Sequence, residues 1–180
     1  MPAKKADVGA HYLEVVKGQF EQQKRFAERA FEQLDTQDFH KRLGDNTNTI
    51  YAIVKHLAGN FKSRFTGFLT SDGEKAARDR DSEFVDEAAT KDEIMRLWEE
   101  AWAVLLKAVG ELGPGDLMKT VTIRGEAYTV LGALNRSIAH VNHHTGQVML
   151  LARHWKGAGW KWLTIAPGES RNWRPAKKSR

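Results

Sequence analysis

Apolar residues recur at helical spacing in four stretches of the chain. Over roughly residues 8–34, Leu13, Val16, Phe20, Ala27, Ala30 and Leu34 share one face, with charges between them. A second stretch follows Asp45-Asn46-Thr47-Asn48, a cluster of residues suited to capping a helix. It places Ile50, Val54, Leu57, Phe61, Phe65 and Phe68 on one stripe. The third opens with Thr90-Lys91-Asp92-Glu93, which has the form of a capping box. It continues through Ile94, Leu97, Ala101, Leu105 and Val109 and stops at Gly113-Pro114-Gly115. The fourth runs from about Val130 to Trp155 through Leu131, Leu134, Ile138, Val141, Val148 and Ala152.

Between the third and fourth stretches, residues 121–128 read as two short strands around a glycine turn. Four amphipathic stripes with no sheet to cover predict an all-α protein, a four-helix bundle with a short β-hairpin between helices 3 and 4. The connection over residues 70–89 is long enough to let helices 2 and 3 run parallel. Trp160, Trp162, Leu163 and Ile165 are apolar enough to dock on the bundle, and ordered packing is expected to end near Pro167.

Composition narrows the function. A chain of 180 residues fits one domain, here taken as residues 1–170 with a basic tail over 171–180. There are no cysteines, which excludes disulfides, thiolate metal sites and a protein thiol nucleophile. The N-terminus lacks a signal-peptide run and no segment approaches the length of a membrane span, so a cytoplasmic protein with no membrane partner is expected. The net charge of +5 is unevenly placed: residues 156–180 carry seven Lys or Arg against one Glu, leaving the body close to neutral. A nucleic-acid reader carries its positive charge on a folded face, so nucleic acid is not the expected partner.

The histidines sort by helical phase. His140 and His144, four apart, fall on the flank of the last apolar stripe, and His56 borders the stripe of the second helix. His143 and His154 fall on the polar side, and His11 and His40 have no partner at ligand spacing. Three imidazoles converging from two helices would suit a divalent transition metal and leave coordination positions open. A di-iron carboxylate bundle is disfavoured because no Glu-x-x-His motif occurs, and a zincin because Val141 rather than Glu follows His140. No acid or base is apparent beside the three histidines. Asn60 and Arg64 follow His56 at one-turn intervals and are candidates for binding an anionic substrate. The alternative for this pair is capping and ion pairing with the 72–83 loop, where Asp72, Glu74, Arg78, Arg80 and Asp81 would form a charge network pinning the crossover.

The stretch His140-x-x-x-His144-x-Gly146-Gln147, preceded by a histidine on an earlier helix, resembles the DinB/YfiT-like superfamily of metal-binding four-helix bundles. Three further runs resemble the signature of one uncharacterised branch of it. They are His56-Leu57-Ala58-Gly59-Asn60-Phe61-Lys62-Ser63-Arg64, Phe68-Leu69-Thr70-Ser71-Asp72-Gly73-Glu74-Lys75 and Arg78-Asp79-Arg80-Asp81-Ser82-Glu83-Phe84. The resemblance implies an up-down-down-up bundle and a divalent ion, nickel or zinc, on His56, His140 and His144. It further implies a metal-dependent transferase that uses a low-molecular-weight thiol cofactor on a small-molecule substrate, and leaves a homodimer open. It names no catalytic residue. The competing expectation is a non-catalytic bundle that binds a metal or small ligand.

Overall fold

A computed structural model describes residues 7–85, 87–172 and 174. It contains four long helices, α1 (Val8–Phe31), α2 (Ile50–Phe65), α3 (Lys91–Gly110) and α4 (Val130–Lys156), and a two-stranded hairpin, β1 (Thr120–Ile123) and β2 (Glu126–Thr129), between α3 and α4. No described helix is long and apolar enough to cross a membrane. The basic tail lies outside the described residues, apart from Arg171, Asn172 and Arg174.

Side-chain pairings fix the directions. The Tyr12 hydroxyl donates to Leu131 O and Asn135 Oδ1, while Arg29 Nη1 donates to Leu163 O, so α1 and α4 run the same way. Phe20 meets Trp102 and Phe31 meets Trp98, which makes α3 antiparallel to α1. Phe61 packs on Trp102 and Phe65 lies beside Ala108, so α2 is parallel to α3. His56 faces His140 while Ile53 lies beside Gln147 and Leu151, so α2 is antiparallel to α4. The order is up-down-down-up, and the long crossover provides the parallel step as expected.

The caps explain the boundaries. Thr90 and Glu93 form the anticipated capping box. The cap of α2 is Thr49, whose Oγ1 accepts from Ala52 N at 3.0 Å, rather than a residue of the 45–48 cluster. Thr47 instead closes a turn on Gly44. The hairpin turn puts both Arg124 (φ 57°) and Gly125 (φ 76°) in the left-handed region, as the strand twist favours in a two-residue turn. Asp72 holds that turn by accepting from Arg124 N at 2.9 Å and Gly125 N at 2.8 Å.

The core departs from the sequence pattern in α3. Leu97 is only partly buried, and the helix turns Trp98 and Trp102 inward, where they meet Phe20, Phe31 and Phe61 edge to face. The segment after α4 docks through Trp160 and Leu163. Trp162 and Ile165 stay substantially exposed, Trp162 beneath the Arg153 guanidinium. Past Pro167, hydrogen-bonded turns continue to Asn172 with exposed side chains.

The helix most enclosed is α2. Thirteen of its sixteen residues are buried, including the polar His56, Asn60, Ser63 and Arg64, because α3, α4 and the crossover pack around it.

Candidate metal centre

His56 on α2 and His140 and His144 on α4 come together, each offering one ring nitrogen within 4.8 Å of the others. His140 Nε2 lies 3.1 Å from His56 Nε2 and 3.2 Å from His144 Nε2. Two ligands of a tetrahedral ion with bonds of ~2.0–2.1 Å stand about 3.4 Å apart, so this spacing is near that required.

The other edges of two rings are already committed. His56 Nδ1 donates to Glu83 Oε2 at 2.8 Å, and His144 Nδ1 donates to Gln147 Oε1 at 2.9 Å. With the proton on Nδ1, a neutral ring presents a bare lone pair at Nε2. Two lone pairs therefore point at His140, which as a neutral ring can donate to at most one of them. A cation at the centre satisfies all three, so the residues fit a divalent metal. Electrostatics agree: burial first, then the neighbouring His144 and His56, push His140 down to about 3. Burial and then His56 also lower His144, against the opposing hydrogen bond of Gln147. Neutral imidazole is the form that ligates.

Glu83 corrects the expectation that no acid or base stands beside the histidines. It sits on a 3₁₀ turn (Asp81–Phe84) of the crossover and is buried against α2. Its carboxylate also accepts from Arg78 through Nε at 2.7 Å and Nη2 at 2.9 Å. Burial alone would raise its pKa, but the hydrogen bonds from His56 and Arg78 outweigh that and hold it below the usual carboxylate range. Glu83 is thus an ionised orienting group for His56, the type of outer partner that metal-binding histidines usually have.

The approach of Glu83 depends on Gly59, since a Cβ there would stand 2.7 Å from Glu83 Cδ. A glycine inside an otherwise well-formed helix was the sequence signal for this contact. The charge network expected of the crossover exists in altered form. Glu74 pairs with Arg78 and with Arg124 of the hairpin, and Asp72 caps backbone amides. Arg80 lies over the Phe84 ring instead, and among the described residues Asp81 has no ion pair.

Of the remaining histidines, His40 bonds Ala89 O at 2.9 Å, His11 is exposed beside Glu14 and His154 is exposed, while His143, also exposed, lines a cleft beside the cluster. That cleft measures about 340 Å³, and both Asn60 and Arg64 line it together with His56 and His140. Among the described residues neither Asn60 nor Arg64 forms a hydrogen bond or ion pair with the 72–83 loop, though the Glu74 carboxylate attracts the Arg64 charge from a distance.

An up-down-down-up bundle with three inward histidines shared by two antiparallel helices is the class that this fold and site define. The chain belongs to the family described as Protein of unknown function (DUF1572), whose model matches residues 7–169. No curated protein matches it.

Proposed function

We propose that the protein is a DinB-like divalent-metal-binding bundle and that His56, His140 and His144 hold the ion through Nε2. The observation carrying this reading is the pair of Nδ1 hydrogen bonds, which leave bare lone pairs aimed at one point. An all-imidazole donor set suits zinc or nickel better than magnesium or calcium. An ion on three neutral ligands keeps open positions and supplies Lewis acidity that lowers the pKa of a coordinated thiol or water.

The activity that the DinB-like resemblance implies is transfer onto a small soluble thiol, and in a chain without cysteine that sulfur would have to come from outside. In that reaction Glu83 fixes the His56 ring, Gln147 fixes the His144 ring, and the cleft beside them admits the substrate. The second reading, a binding protein without chemistry, is supported by Glu83 being fully engaged by His56 and Arg78, so that it is not free to move a proton.

Metal analysis of the purified full chain tests the first step. About one zinc or nickel per chain is expected, and a large loss in His144→Ala. Full metal content in that variant would overturn the assignment. A screen of small thiols against electrophiles then separates the two readings: turnover that needs the metal supports the transferase, and its absence across the screen supports the binding protein.

A further inference from the structure

The four buried polar side chains of α2 are treated in two ways. The crossover satisfies His56 through Glu83, and Ser63 through Gly73 O and Lys75 N. Asn60 and Arg64, one turn apart on the same helix, receive nothing comparable. Arg64 is 6% exposed, its Nε is enclosed with no acceptor, and among the described residues it forms no ion pair. The Asn60 side chain is buried as well and has no hydrogen-bond partner among the described residues.

A buried guanidinium without a counter-charge is among the costlier things a fold can retain. The carboxylates near enough to relieve it are taken: Glu74 by Arg78 and Arg124, and Glu83 by Arg78 and His56. Burial first and then Arg136 destabilise the charge on Arg64, and the attraction of Glu74, which forms no ion pair with it, does not offset them. Arg136 and Arg80 also line the cleft, held against the Tyr128 and Phe84 rings rather than against carboxylates. No Asp or Glu is among its described lining residues. The cavity is thus strongly positive, and at about 340 Å³ it is near the small end of the ~300–1,000 Å³ range of ligand pockets. That volume suits a small molecule and not a nucleic-acid strand.

We propose that Arg64 and Asn60 form an oxyanion subsite that receives the carboxylate or phosphate group of a small substrate whose other end reaches the three histidines. Guanidinium offers a planar fork that matches either group through paired hydrogen bonds, and the Asn60 amide adds a further donor. The oxyanion subsite stands independently of the metal; only the reach to the histidines rests on the metal reading above.

Calorimetric titration of the full-length protein with inorganic phosphate and with malonate, at constant ionic strength, tests the subsite. Saturable binding of one or both is expected, and the comparison tells which oxyanion the site prefers. Arg64→Gln should weaken that binding at least tenfold with metal content unchanged and with no drop in the thermal midpoint, because the substitution removes an unpaired charge. Arg64→Lys should fall between, keeping the charge but losing the fork. If Arg64→Gln does not fold, Asn60→Ala decides, with several-fold weaker binding expected. Absence of saturable binding, or binding unchanged in the folded variants, would overturn the proposal. Titration of chelator-treated protein and of His144→Ala keeps the two readings apart. Arg64-dependent binding there sustains the subsite even if no metal is found, and a metal-loaded protein that binds neither probe sinks the subsite alone.

Discussion

Gly59 and Glu83 share a space that only the absence of a side chain makes available: the Glu83 carboxylate lies where the Cβ of any other residue at position 59 would project. In an ordinary helix interior, Gly→Ala is favourable by about 0.5–1 kcal/mol. At this position the sign should reverse. Gly59→Ala is expected to push Glu83 off His56 and weaken metal affinity by roughly 10–100-fold, the usual range for losing such an orienting partner. Competition with a chromophoric chelator measures it, and unchanged affinity would show that the Glu83–His56 bond does not matter for metal binding.

Gln147 offers a milder version of the same test. Its Oε1 holds Nδ1 of His144, and its side chain lies on an exposed part of α4. Gln147→Ala should leave folding intact and reduce metal affinity toward the lower end of that range, about tenfold. Circular dichroism and the chelator competition together check that the loss is local.

The metal-free protein should weaken in mild acid. Below about pH 6.5 an unfolded histidine takes up a proton, whereas His140 in the fold does so only near 3. Across that window the unfolded state binds more protons, so stability falls as pH falls and levels off only below the folded value. The urea midpoint of chelator-treated protein should therefore be lower at pH 5 than at pH 7.5, with a shallower dependence in His140→Gln. A midpoint independent of pH in the wild type would contradict a buried, neutral His140.

The helices were legible because each buries one face, and burial writes a 3.6-residue period into the sequence. Thr90 and Glu93 were legible for a more local reason, since a cap needs its two residues three apart. Trp98 and Trp102 were not, because a bulky ring at the edge of an apolar arc can turn inward without altering the period. His56, His140 and His144 could be selected by phase alone, two of them sharing a helix. Glu83 could not be placed by phase: it lies in a crossover with no repeating pattern, and its contact is set by how that crossover folds over Gly59. The inward position of Arg64 was suggested by spacing, but its lack of a counter-charge is a tertiary fact.

The legible cap gives a fourth prediction. Thr90 Oγ1 accepts from Glu93 N, and Glu93 Oε2 accepts from Thr90 N at 2.8 Å. Thr90→Ala should cost about 1 kcal/mol of stability, measured by urea denaturation, and leave metal content unchanged. A change in metal content would mean that α3, which contributes no ligand, nonetheless sets the register of the site.

His56 and His140 are 84 positions apart in a chain without a single cysteine. An ion gripping both would act as a removable cross-link, closing a loop whose chain-entropy value is ~4–5 kcal/mol by the treatment applied to disulfides. Such a staple is indifferent to reductants and sensitive to chelators. The mechanical integrity of the bundle would then follow the supply of metal rather than the redox state of its surroundings.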